Sequence, residues 1–345
     1  MTRTGQPLDI ARGQVDLGHG AGGRAMAQLI EQLFQAHFDS PALKRGHDAA
    51  LLAPPGGRLV MCTDSFVVSP VFFPGGDIGA LAVNGTVNDL AMGGGVPLYL
   101  TAAFILEEGF PLADLKRIAT SMARAAREAG VDIVSGDTKV VERGHGDGIY
   151  ITTAGVGVVP EGIDIGGDRA RPGDVVLING PIGDHGIAIM SKRENLSFGS
   201  DIESDCQPLG DLVGAMLAAV PSTRVLRDPT RGGLGSTLNE IAQQSGIGIE
   251  LDEAAIPVRR EVQSACELLG LDPLYVANEG KLIAVCPPDD AERLLAAMKA
   301  HPRGRQSAII GRIVEDERRF VRMVTGFGGT RMVDWIAGEQ LPRIC

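Results

Sequence analysis

The chain has 345 residues, of which 44% are hydrophobic and 22% charged, with a formal net charge of −11. This composition excludes wholesale disorder, and the acidic balance disfavours a protein that tracks a nucleic-acid backbone through clustered Lys and Arg. With only three Tyr and one Trp, aromatic platforms for stacking bases are not supported. No apolar run approaches a membrane span and no signal-like segment opens the chain, so the expectation is a soluble cytoplasmic protein with no nucleic acid and no membrane among its partners.

Four segments are expected: a Gly-rich opening and helix over 1–40, a first domain over 41–169, a second over 170–334, and a mobile tail over 335–345. The opening "LGHGAGGRAM" leads into "AMAQLIEQLFQAHF", whose apolar spacing is helical. "RLVMCTDSFVV" follows as a strand, and "DIGALAVNGTVNDLAMGGG" as a helix opened by Asp77 and closed by glycines. "PLYLTAAFIL" reads as a strand and "PLADLKRIATSMARAAREAG" as a helix with Pro at its start and Gly at its end. Two more strands, "VDIVSGDTKVV" and "GIYITTAGVGVV", complete the first half. "IDIGGDRARPGD" has no periodicity and marks the boundary. Beyond it short strands ("VVLING", "GIGIEL", "KLIAVCP", "SAIIGRIV", "RFVRMV") alternate with five helical stretches, which makes both halves mixed α/β layers.

Chemistry is suggested first by aspartates at strand ends or among glycines: Asp48, Asp64, Asp89, Asp137 and Asp228. Each alone fits a turn or a helix cap; together they fit a magnesium-phosphate site, because Mg²⁺ takes a few carboxylates plus substrate phosphates. "GHGAGG", with Gly20, Gly22 and Gly23, is either a mobile loop or a cradle of N–H groups for an anion; it matches neither of the common nucleotide-loop patterns. Lys139 lies in a Val-rich run and Glu279 at the entry to a strand, each readable as a surface or turn residue or as a reactive one.

The five cysteines stand far apart, which rules out a CxxC zinc signature. Cys62, Cys266 and Cys286 sit in apolar runs and read as core, and Cys206 as a loop thiol. Cys345 is the last residue of an extended stretch, "GEQLPRIC". A terminal thiol is badly placed for packing and well placed for reaching; no lipidation box is possible, because three residues would have to follow it.

In order, "HGAGG", "HDAA", "TDSFVVSP", "VNGTVNDLAMGGGVPLYLT", "SGDTKVV", "GDHGIAI", "DPTRGGL" and "VANEGK" resemble the HypE family of hydrogenase maturation factors. That family lies in a superfamily with aminoimidazole ribonucleotide synthetase, selenophosphate synthetase and thiamine-monophosphate kinase. The likeness covers nearly the whole chain, and "PRIC" is its most family-specific feature. It implies an α/β (α+β) fold of two domains, the first forming a β-barrel across a homodimer, the second an α+β domain, with a flexible tail. ATP and Mg²⁺ would lie in the cleft between the domains, near the dimer contact. By motif, Asp48, Asp64, Asp89 and Asp228 would hold metal; Gly20, Gly22, Gly23, Asp64, Asn84, Asn88 and Asp137 would bind ATP. Cys345, Lys139 and Glu279 would be catalytic. The resemblance further implies that HypF carbamoylates Cys345, that ATP-dependent dehydration makes a thiocyanate, and that a HypC–HypD complex takes the cyanide for nickel-iron hydrogenase. Rival readings are a sibling kinase or selenophosphate synthetase, although no Cys stands near the glycine loop, and an ATP-binding adaptor that offers its tail as a docking peptide.

Overall fold

A computed structural model describes residues 8–21, 23–45, 49–50, 52, 56–195, 202–336 and 343–345. Gly22, Asp48 and most of the expected tail, residues 337–342, lie outside the described residues. The glycine loop enters as a 3₁₀ turn, Leu17–Gly20, capped reciprocally by Asp16 and His19. The helix expected after it is α1 (Arg24–Leu29), a π-helical turn (Ile30–Gln35) and α2 (Ala36–Phe38), followed by the short α3 (Pro41–Lys44). The π turn is the departure from regular periodicity. It still buries Leu33 and Phe34, whose ring stacks on Phe104 at 4.6 Å between centroids.

The first half then runs β1 (Arg58–Phe66), a hairpin of β2 (Phe72–Phe73) and β3 (Gly76–Asp77), α4 (Ile78–Met92), β4 (Val96–Glu107), α5 (Leu112–Ala129), β5 (Asp132–Val141) and β6 (Ile149–Val159). Its four-stranded sheet has the order β1-β6-β4-β5, so β1 and β5 are its two edges. Only β4 and β5 are parallel, and α5 makes the crossover between them. Asp77 caps α4 by accepting from the Gly79 and Ala80 amides at 2.8 and 3.0 Å. Gly130, at φ +71°, ends α5 in the left-handed region open to glycine.

Alternation along these strands gives the sheet two unlike faces. One packs on α4 and α5. The other is open and largely apolar: Met61 pairs with Val156, which pairs with Tyr99, and the next row is Thr63, Ala154 and Thr101. Leu59 and Met61 on this face are 65% and 72% exposed.

The second half holds β7 (Val175–Ile178), α6 (Asp184–Arg193), α7 (Gly210–Ala219), β8 (Val225–Arg227), α8 (Gly233–Ser245), β9 (Gly248–Asp252), α9 (Arg260–Leu269), β10 (Ile283–Cys286), α10 (Ala291–Ala300), β11 (Ala308–Val314), β12 (Val321–Val324) and β13 (Thr330–Met332). The strands form one mostly antiparallel sheet in the order β13-β12-β9-β11-β7-β10-β8. A cluster of Ala91, Met92 and Val159 from the first half with Leu177, Leu209 and Ala284 from the second fuses the two layers. This places α4 at the centre, buried on every side, and Asp89 is its one residue that is not buried. No described helix is long and apolar enough to cross a membrane.

Candidate functional site

Three aspartates converge where α4 meets the second half. Asp64 comes from β1, Asp89 from the last turn of α4, and Asp228 from the end of β8. Burial is the main force raising all three carboxyls: Asp89 is pushed up to about 7 by desolvation and then by Asp228 and Asp64, and Asp64 also raises Asp228. Mutual repulsion of this kind is what a bound cation relieves. Among the described residues no group of three His, Cys, Asp or Glu is gathered tightly enough to hold a metal by itself. A cation that keeps waters and substrate phosphates as ligands, such as Mg²⁺, would need only one or two of these carboxylates. Asp228 leads into "PTRGG", where Gly232 and Gly233 take φ +79° and +62°; a Cβ on Gly233 would strike the Leu274 carbonyl oxygen at 2.5 Å. This turn presents Arg231, the cation that acts on Asp64 and on Cys345.

Asn278 knits the surrounding loops. Its Oδ1 accepts from the Gly183 amide at 2.8 Å, and its Nδ2 donates to the Pro229 carbonyl at 2.8 Å. The next residue, Glu279, is 4% exposed, and its Oε1 has no hydrogen-bond partner. Desolvation, then the charges of Asp205, Asp228, Asp64 and Asp89, push its carboxyl well above the usual range. Asp205 beside it behaves oppositely: burial pushes its carboxyl up, but Lys281 at 2.9 Å, His185 and the Glu279 amide outweigh that and hold it low.

The end of the chain is seated in this cleft. The Val67 amide donates to the Cys345 carbonyl and the Ser69 amide to the Arg343 carbonyl, both at 3.1 Å, so the last residues run antiparallel to the segment that follows β1. Arg343 adopts φ +52°, and its guanidinium donates to the Val67 carbonyl and pairs with Asp147. Ile344 is 2% exposed within the first-half core, and Nε2 of the fully buried His185 donates to its carbonyl at 2.8 Å. Cys345 is half-buried; desolvation, then the Glu279 carboxylate, raises its thiol above the ordinary range, and Arg231 opposes them. The thiol expected to be badly placed for packing is thus partly packed in this cleft.

The other expected residues divide. Asn84 is buried, with Nδ2 donating to Cys206 Sγ at 3.4 Å and Oδ1 unpartnered. Asn88 is fully engaged: Oδ1 accepts from the Leu209 amide, and Nδ2 donates to the Gln207 and Glu279 carbonyls. It clamps α4 to the second half, and this backbone duty leaves it no free donor for a nucleotide. Asp137 and Lys139 pair with each other at 2.6 Å on the open sheet face, opposite Ala103 and Ile105. Gly20 lies against the same strand, where a Cβ would meet the Val140 nitrogen at 2.7 Å, and Gly23 faces open space. Within one chain this group belongs to edge β5 and the carboxylates, Glu279 and Cys345 to edge β1, three strand spacings or about 14 Å away.

Sequence reasoning left His185 and Arg231 without a role and did not single out Ser204, Asp205 or Lys281. His185, Arg231 and Lys281 stand inside the motifs "GDHGIAI", "DPTRGGL" and "VANEGK". Ser204 and Asp205 lie in a loop without periodicity, so only folding brings them to the tail.

Models of the AIR synthase related protein match the chain in both parts, the N-terminal domain over residues 46–159 and the C-terminal domain over 171–324. The chain is 66% identical over 341 residues to carbamoyl dehydratase HypE of Cupriavidus necator, covering 99% of this chain and 97% of that protein. It is 47% identical to carbamoyl dehydratase HypE of Escherichia coli, over 96% and 99% of the two chains. The crystal structure of hydrogenase maturation protein HypE in complex with ATP superposes with a TM-score of 0.92 at 50% identity, covering 95% of this chain and 99% of that one. HypE in a crystal structure of a HypE-HypF complex superposes with a TM-score of 0.79 at 51% identity, covering 89% and 99%. With a two-domain AIR synthase-like fold and this likeness along its whole length, the chain belongs to the HypE family of carbamoyl dehydratases.

Proposed function

We propose that this chain dehydrates a carbamoyl group carried on its own Cys345, converting an S-carboxamide to an S-cyanide with ATP, for the iron of nickel-iron hydrogenase. The observation that carries this reading is the seating of the terminal Cys345 beside the buried Glu279, Asp64 and Asp228.

ATP supplies the phosphoryl group that turns the amide oxygen into a leaving group, and Mg²⁺ would neutralise charge from Asp64, Asp89 and Asp228, with Asp48 as a further ligand. In balance, the S–C(=O)–NH2 group and ATP give S–C≡N, ADP, phosphate and a proton. The chain's own residues position the amide and manage the two N–H protons. Burial and four nearby carboxylates oppose charge on Glu279 and favour its protonated form in the resting site. It accepts a proton once cations enter and lower its pKa, which ties base strength to an occupied site. Lys139 would be one such cation and would align the amide oxygen. A neutral S-carboxamide also meets no charge-burial penalty in the cleft, whereas a thiolate would. The docked free thiol is thus unreactive, and carbamoylation by HypF requires the tail to leave.

The open apolar face of the first sheet fits a second copy. Closing two four-stranded sheets into one barrel sets edge β1 of each copy against edge β5 of the other. That joins the carboxylate group of one chain to Asp137, Lys139 and the loop of Gly20, Gly22 and Gly23 of its mate, which together would hold ATP with Asn84. Asn88 contributes by clamping the wall. A HypC–HypD complex would take the cyanide, so the tail moves between HypF, the cleft and that acceptor.

Intact-protein mass spectrometry after HypF and carbamoyl phosphate, before and after Mg-ATP, tests the reading. One carbamoyl group gained on Cys345, then one water lost only with ATP and neither change in Cys345→Ala, is expected. An unmodified Cys345 with active HypF would make a free small molecule the substrate.

A further inference from the structure

A cavity of about 600 Å³ opens between the Phe72–Asp77 hairpin and residues 113–124 of α5, outside the catalytic cleft. Successive turns of α5 bring Lys116, Arg117, Ser121 and Arg124 to one wall, and Phe73 and the Gly75–Gly76 backbone form the other. Lys116, Arg117 and Arg124 are exposed and have no carboxylate partner among the described residues; Arg117 lies over the Phe72 ring, 3.9 Å from its centroid. Asp77 is the one acid on the wall, and its Oδ1 is spent on the Gly79 and Ala80 amides. Ser121 lines the same wall. It is 5% exposed, and its Oγ has no partner, a state that costs free energy unless something fills it.

We propose that this cavity binds a phosphate-bearing small molecule. Guanidinium and ammonium groups with a hydroxyl between them are the donor set a phosphate takes, and the volume lies in the small-molecule range. In a chain of net charge −11, three unpaired cations around one concavity favour an anion. Phe73 adds an apolar wall suited to the organic body of a phosphorylated compound. Its ring also meets His185 edge-on at 5.6 Å, so the cavity shares a side chain with the residue that holds the tail.

Equilibrium dialysis of pyrophosphate and of AMP against the full chain, with a chelator present, tests this. Without metal the aspartate cluster repels anions, so the catalytic site stays silent. The expected result is one equivalent bound per chain, weakened by salt and at least about tenfold by Lys116→Glu or Arg124→Glu. Arg127→Glu, on the same helix but outside the cavity, carries the same charge change and should bind as wild type; melting temperatures report that each variant folds. Binding of AMP as well as pyrophosphate would assign a phosphorylated organic molecule, and pyrophosphate alone a bare phosphate. No binding by the wild type, or equal loss in Arg127→Glu, would overturn the proposal.

Discussion

Nε2 of His185 lies 2.8 Å from the carbonyl oxygen of Ile344, one residue before the terminal thiol. Its Nδ1 is 2.8 Å from Ser204 Oγ, which fixes the arrangement: the hydroxyl donates to Nδ1, and Nε2–H donates to the tail. Burial lowers the His185 pKa and keeps the ring neutral. His185→Ala leaves that buried carbonyl unpaired, at a cost of about 1–3 kcal/mol to the docked tail. Cys345 should therefore alkylate roughly tenfold faster or more with iodoacetamide, and Ser204→Ala should give a smaller rise. Wild-type rates in both variants would remove His185 from tail docking.

Glu279→Gln should fold and should be more stable than the parent at neutral pH, while losing dehydration. The Glu279 carboxyl is raised far above 4.5 in the folded chain, so the parent loses stability as pH rises from the unfolded value up through the folded one. Gln lacks that loss. The stability difference measured by denaturant unfolding should thus vanish near the ordinary Glu pKa and grow with pH; a difference constant with pH would contradict the buried, protonated state.

How much of this was legible in the sequence varies with the physics of each element. Asp77 and Gly93 bound α4, and Pro111 and Gly130 bound α5, because caps are local chemistry. The three-residue strands β8 and β13 were not legible, since they are held by neighbours rather than by their own pattern. Motif spelling pointed to Asp64, Asp89, Asp228, Glu279 and Cys345, which the fold brings to one cleft. It also pointed to Asn88, whose engagement with three backbone groups is a long-range fact that no local pattern carries. Nor could spelling say that Lys139 sits at the far edge of the sheet, because strand order is set by tertiary pairing.

Metal affinity should depend on pH through Asp89. Its carboxyl stands at about 7, so at lower pH a proton must leave before the group can ligate. Mg²⁺ binding by calorimetry should weaken about tenfold per pH unit below that value, and Asp89→Asn should bind more weakly with a flatter profile. An unchanged slope in the variant would place the proton elsewhere.

Met61→Glu should disrupt association without unfolding the chain. Met61 is 72% exposed beside Val156 on the open face, so a charge there is harmless to a monomer and buried in a barrel. Light scattering should shift from dimer to monomer, and ATP-dependent dehydration should fall with it. A dimeric, active Met61→Glu would move the contact to another face.

Mixing two inactive variants decides which chain supplies Lys139. Lys139→Ala and Glu279→Gln should each be inactive alone. If each site combines Glu279 of one copy with Lys139 of the other, a mixed dimer contains one site with both native residues and one with neither. Random re-association makes half the dimers mixed, so the mixture should recover about a quarter of wild-type activity. If both residues act from the same chain, every site in every dimer carries one defect and nothing is recovered. The separation of edges β1 and β5 within one chain favours the first outcome, because side chains on opposite sheet edges meet around one small substrate only when a second sheet closes the gap.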